Sequence, residues 1–246
     1  MRTGFHRVGR SAAVALAVAV AGAGTAYGQV ELIISEVVDG DLSGGLPKYV
    51  ELTNVGCDTA DLSNFSIGNA NNDATSIGFD ALVLSGSLAS GASYLISYEN
   101  SDSPGSSTFF NVYGFDADNL DQGAFTNGDD TLILFSGAAL AGDPADGSGQ
   151  PVVDIYGVMG VDGTGTVWEY ADGYSFRNAN VLAGNDGTFV DTEWTFGGAG
   201  SLDAADDATR TQLLLDNTTP GTHTFDDPGC GPAAPGACCA PDGTCT

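Results

Sequence analysis

Lys48-Tyr49-Val50-Glu51-Leu52-Thr53-Asn54 alternates residue by residue, with Val50 and Leu52 on one face and Tyr49, Glu51 and Thr53 on the other. A period of two marks a β-strand with one face turned to a core, because successive side chains leave opposite sides of the pleat. Outward from this stretch the pattern repeats. Glu31–Val38 is a β-branched run that ends in an Asp39-Gly40 turn signal, and Asp61–Ile67 alternates through Leu62, Phe65 and Ile67. Ala81–Leu84, Ser93–Tyr98, Thr131–Phe135, Val152–Tyr156, Gly173–Arg177 and Thr192–Phe196 read as further strands. Asn127-Gly128-Asp129-Asp130 precedes one of them as a tight turn, since Asn-Gly tolerates positive φ. Short strands bounded by turn residues fit an all-β, antiparallel sandwich. Helix is confined to two short candidates, Asn119–Gln122 and Ala204–Leu215, while Asn69–Thr75, Asn100–Ser107 and Ala138–Gln150 read as loops.

Composition agrees. The 246 residues include 36 Gly and 9 Pro, which favour turns over long helices, and 42% hydrophobic residues, enough for a packed core. Six Lys and Arg face 32 Asp and Glu, for a net charge of −26. Arg2, Arg7 and Arg10 precede an apolar run from Ala12 to Ala23 and a small-residue exit at Ala26-Tyr27-Gly28, the layout of a secretory signal peptide over residues 1–28. The cut is expected after Gly28, with Ala23 as second choice. The apolar run is too short to span a bilayer, so no transmembrane anchor is expected after cleavage. Removal leaves Lys48, Arg177 and Arg210 as the fixed cations against 32 carboxylates, a net charge of −29. Such a surface repels phosphate backbones and excludes nucleic-acid binding by this domain alone.

Three segments carry a family resemblance: Ile34–Val38, Lys48–Asn54 and Ala60–Ile67. Asn127–Leu134, Val153–Gly157, Tyr174–Arg177, Trp194 and Thr219-Pro220-Gly221 follow in order. Together, from Val30 to His223, they resemble a lamin-tail domain of the bacterial secreted type. The resemblance implies an immunoglobulin-like antiparallel sandwich over residues 29–226, a module that accompanies nucleases, phosphoesterases and surface proteins as a non-catalytic attachment. Asn69–Ser76, Asn100–Gly123 and Ala138–Gln150 are longer than the compact form of that family.

Independently of the resemblance, Val50, Leu52, Leu62, Ile67, Leu132, Leu134 and Ile155 are expected in the inter-sheet core, with Trp194 and Phe196 covering one side of it. Glu51 reads as a solvated carboxylate or as the partner of Arg177. Catalytic signals are scarce. After signal removal His223 is the remaining histidine, there is no Gly-x-Ser-x-Gly elbow and no zinc motif, and no catalytic residue is assigned. No cofactor is expected apart from calcium, for which Asp39, Asp41, Asp129 and Asp130 lead a set of Asp/Asn/Gly clusters that also includes Asn69–Asp73, Asp143–Asp146 and Asp203–Asp207; none has the spacing of a helix–loop–helix calcium site.

Five cysteines in an exported chain point to disulfides. Cys57 and Cys230 flank the sandwich without local partners and are expected to pair. Residues 227–246 form a Pro/Gly linker and an incomplete cysteine-rich tail, in which Cys239–Cys245 is the expected pair and Cys238 is left over. The leading functional expectation is an exported, non-catalytic sandwich at the cell surface or beyond it, attaching to an extracellular protein or polysaccharide. The alternatives are an N-terminal accessory module of a larger secreted nuclease or phosphoesterase continuing past Thr246, and a calcium-binding, adhesin-like surface protein. An enzyme in its own right has the least support.

Overall fold

The computed structural model describes residues 30–99, 105–120, 126–144 and 148–230. Residues 1–28, expected to be a signal peptide, and Cys238, Cys239 and Cys245, with the expected Cys239–Cys245 pair, lie outside the described residues. In chain order the elements are β1 (Leu32–Leu42), β2 (Leu46–Asn54), β3 (Ala60–Asp61), β4 (Phe65–Ala70), β5 (Leu82–Val83), β6 (Ser87–Leu88), β7 (Ser93–Tyr98), α1 (Thr108–Tyr113), β8 (Asn119–Leu120), β9 (Thr131–Ser136), β10 (Val152–Tyr156), β11 (Tyr174–Arg177), β12 (Trp194–Phe196) and α2 (Asp207–Asn217).

They form an all-β sandwich. One sheet has the order β12-β11-β1-β2-β7-β8, the other β10-β9-β4-β5, and β3 pairs with β6 in a small third sheet. All pairings are antiparallel except β7 with β8. Between the main sheets lie Leu32, Ile34, Val37, Val50, Leu52, Leu62, Ile67, Leu132, Leu134 and Trp194, all buried, with Phe196 packed on the margin. Six of the seven expected core positions are therefore in place. Ile155 is the correction. It alternates with Asp154 and Tyr156, and points to the opposite face of its sheet, where it packs with Ile133, Phe135, Ile77 and Ala139 under the 71–81 and 137–144 connections.

The outer face of the larger sheet is also covered. Val38, Tyr49 and Leu95 pack against Phe109 of α1 and Leu214 of α2. Tyr49 meets Phe109 edge-to-face at 5.4 Å between centroids. The strand that the alternation marked as half-buried, β2, is thus buried on both faces from Leu46 to Asn54.

Several boundaries move for local reasons. Asp39-Gly40 is no turn: β1 runs on to Leu42, and the reversal falls at Gly44 and Gly45, both with positive φ. The Asp61–Ile67 run is interrupted by a 3-10 turn over Leu62–Asn64, capped by the Asp61 carboxylate accepting from Ser63 N. A similar turn over Asp191–Glu193 delays β12 to Trp194. Asn119 and Leu120, expected in a helix, instead add a parallel edge strand beside Ile96 and Ser97. α1 was not anticipated; Ser107 caps its first turn by accepting from Phe110 N, and Gly114 at φ 81° ends it. The Asn127-Gly128 turn is as read. Gly128 has φ 80°, and a Cβ there would lie 2.2 Å from Ala171 N.

Candidate functional site

The site begins with a misfit in β1. From Ile34, strict alternation would send Glu36 into the inter-sheet core. A β-bulge intervenes: Ile34 stands opposite Leu52 and Glu36 opposite Glu51, so Ser35 is the extra residue. The bulge turns Val37 inward and Glu36 outward. Two carboxylates thereby become cross-strand neighbours on a face that other segments cover, and each is 1% exposed.

Like charges directly opposite on a sheet repel, and here both are taken out of water. Donors compensate. Glu36 accepts from Tyr49 Oη at 2.8 Å and, on both oxygens, from the Thr219 backbone N–H at 3.0 and 3.3 Å. Glu51 accepts from Ser35 Oγ at 2.7 Å on one oxygen and from the Gly221 backbone N–H at 2.6 Å on the other. Burial, reinforced by the Glu51 charge, still pushes the Glu36 carboxyl up to about 8. Burial also raises Glu51, against the pull of Ser35 and Gly221.

Thr219-Pro220-Gly221 belongs to the exit strap, residues 218–230, which leaves α2 and crosses the outer face of the large sheet. Thr218 continues the helix end through its Oγ1, which donates to Leu214 O and shares a hydrogen bond with Tyr113 Oη. Farther along, Asp226 N donates to Ala179 O at 2.7 Å, and Cys230 is joined to Cys57, with Cα atoms 5.4 Å apart. Val55 N donates to Glu31 O at 2.8 Å, so the start of β1 lies beside that same turn.

Under the strap is a pocket of about 300 Å³ lined by Glu36, Glu51, Arg177, Asn217 and His223, among others. His223 is half-buried and stacks on Phe225; burial and then the Arg177 charge push its imidazole down to about 4. Its Nε2 is buried without a partner among the described residues.

Arg177 does not pair with Glu51, nor is Glu51 solvated. The guanidinium is wholly buried and turned inward, where Nη2 donates to Asp154, Nη1 donates to Glu193 at 2.6 Å and Nε donates to Ile34 O at 3.2 Å. Its carbon lies 4.3 Å from the centroid of Trp194, a cation–π contact. Asp154 in turn accepts from Ile34 N and Asn185 N, so this cluster joins β10 of one sheet to β1 and β11 of the other. The sequence offered Arg177 as a lone cation. That Asp154, in a run of apolar strand residues, would be its partner is decided only by the stacking of the sheets.

Each of the four calcium candidates has a partner within the protein, though Asp129 Oδ1 is buried without one among the described residues. Asp39 pairs with Lys48, and Asp41 pairs with Arg210 at 2.6 Å. Asp130 accepts from Asn72 N and Asn127 N, and Asp129 accepts from Thr164 Oγ1 at 3.2 Å. Among the described residues no three His, Cys, Asp or Glu side chains are grouped to hold a metal ion, and no helix is long and apolar enough to cross a membrane. Comparison of the chain with protein-family models, with curated proteins and with solved structures gives no match.

Chemically, the Glu36–Glu51–His223 arrangement resembles a proton-transfer constellation by residue type. Its geometry is that of a clamp. A general acid or base must reach a substrate proton, whereas these carboxylates receive donors from the protein's own hydroxyls and from two strap amides.

Proposed function

We propose that the chain is an exported, non-catalytic β-sandwich module of lamin-tail type that serves extracellular attachment to another macromolecule. The observation that supports this reading is the clamp. The pair of buried carboxylates most suggestive of catalysis is engaged by the Thr219 and Gly221 amides, which bind the exit strap to the sandwich. The disulfide holds the same strap to the connection between β2 and β3. The signal-like first 28 residues, and a disulfide that suits an oxidising compartment, are in keeping with export.

The test is expression of the full chain in a secreting bacterium. The extracellular protein should begin at Gln29. It should turn over neither DNA, phosphate esters nor aryl glycosides, with or without divalent cations. Turnover that survives repurification and vanishes in a folded Glu51→Gln variant overturns the non-catalytic reading; an N-terminus at Met1 overturns export.

A further inference from the structure

Beyond edge strand β10 is a second, more open groove of about 500 Å³, lined by Thr75, Pro144, Val158, Met159, Thr188 and Phe189. Its floor is continuous with the core, because Met159 and Phe189 pack on the cluster formed by Ile133, Phe135 and Ile155. At its mouth the apolar surface is open: Val158 is 40% exposed, and Val161 nearby in sequence is 41% exposed. The segments that build it are tied together, since Gly160 N donates to Ala74 O at 2.9 Å and Asp186 N donates to Val153 O at 3.2 Å.

Each lining segment also carries a carboxylate within three residues of the groove: Asp73, Asp143, Asp162 and Asp186. Asp73, Asp162 and Asp186 are exposed. None of the four is in an ion pair among the described residues. The three cations of the sandwich are committed elsewhere, Lys48 to Asp39, Arg177 to Asp154 and Glu193, and Arg210 to Asp41, Asp203 and Asp207. An apolar floor with an acidic rim and no basic side chain to balance it is complementary to one kind of occupant: an apolar side chain flanked by cations.

We propose that this groove docks a polypeptide segment of a partner protein in which one or two large apolar residues are bracketed by Lys or Arg. The proposal rests on the attachment reading and names the chemistry of its partner. The floor supplies aliphatic, thioether and aromatic surface to desolvate the anchor, and the rim supplies orientation and a salt-dependent association rate. The volume suits one or two side chains.

The probe is a fluorescein-labelled hexapeptide, Lys-Lys-Leu-Phe-Lys-Lys, titrated with the full secreted chain by fluorescence anisotropy at low and physiological salt. Binding is expected, weakening as salt rises. Glu-Glu-Leu-Phe-Glu-Glu should not bind, and Lys-Lys-Ser-Gly-Lys-Lys should bind at least tenfold more weakly. Val158→Lys, at an exposed position, and Asp73→Asn with Asp186→Asn should each lower affinity about tenfold. Asp58→Asn with Asp226→Asn, two exposed acids elsewhere, should not. No binding by the first peptide, equal loss in the two aspartate double variants, or equal binding without the apolar pair overturns the groove. None of these outcomes bears on turnover or export, so the attachment reading stands or falls separately.

Discussion

Replacing Arg177 by methionine removes a wholly buried cation that ties the two sheets together, while nearly keeping its volume. The guanidinium and the Asp154 carboxylate are both 0% exposed, so the loss leaves a buried acid without its counter-charge. Removing one partner of a buried pair costs about 3–5 kcal/mol. Here the lower end applies, about 3 kcal/mol, because the Ile34 and Asn185 amides still donate to Asp154 and the Glu193 end of the cluster is partly solvated. Against a total stability of about 5–15 kcal/mol, that is a large fraction. At about 2–4 °C per kcal/mol for a domain of this size, Tm should fall by about 6–12 °C. Thermal melts and urea titrations of wild type, Arg177→Met, Asp154→Asn and the double variant check this. The double variant should be more stable than the sum of the two single losses allows, by a coupling of about 0.5–3 kcal/mol. An Arg177→Met Tm within 1 °C of wild type, or strictly additive losses, would refute the assignment of this cluster as the tie between the sheets.

The Glu36 carboxyl gives a pH dependence of defined sign. Its folded value of about 8 lies above the ordinary value of 4.5, so the folded state holds the extra proton and the stability this confers is lost as pH rises through 8. Below pH 6.5 the depressed His223 acts oppositely, its contribution being lost as pH falls toward 4, and Asp39, raised to about 6, also titrates there. From pH 6.5 to 8, above both of these transitions, Tm should decline in wild type, and the decline should flatten in Glu36→Gln. Reducing the Cys57–Cys230 bond, which spans 173 residues, or replacing both cysteines by alanine, should destabilise by up to about 5 kcal/mol in the chain-entropy picture, read by urea denaturation of oxidised and reduced protein. Millimolar calcium should raise Tm no more than sodium chloride at matched ionic strength, because the Asp39, Asp41 and Asp130 carboxylates are engaged by Lys48, Arg210 and backbone amides.

The sandwich was legible because its strands keep a period of two where one face meets the inter-sheet core. Val50, Leu52, Leu132 and Leu134 needed only that rule. The rule misplaced Ile155 for an instructive reason: β10 buries both faces, and the polar Asp154 occupies the core side because Arg177 is there to meet it. Local capping decided what hydrophobic pattern could not, as at Ser107 and Gly114, which enclose α1, and at Asp61, which breaks an alternating run with a 3-10 turn. The Cys57–Cys230 pairing was readable from the position of two unpaired cysteines around one domain. The clamp was not. It joins Glu36 and Glu51 to amides more than 160 residues away, and its local trace is a glutamate falling on the wrong side of an alternation. A bulge at Ser35 was the available inference from that misfit.

Hydrogen exchange at the Thr219 and Gly221 amides tests most directly whether the carboxylate pair exists to hold the exit strap. In wild type both amides should be protected to nearly the level of the central strand amides, such as Ile34 and Val50. In Glu36→Ala with Glu51→Ala, which removes both acceptors, the two strap amides should exchange much faster while the strand amides keep their protection. Free exchange at Thr219 and Gly221 in wild type, or protection unchanged in the double variant, would contradict the clamp and return the two glutamates to the list of groups available for chemistry.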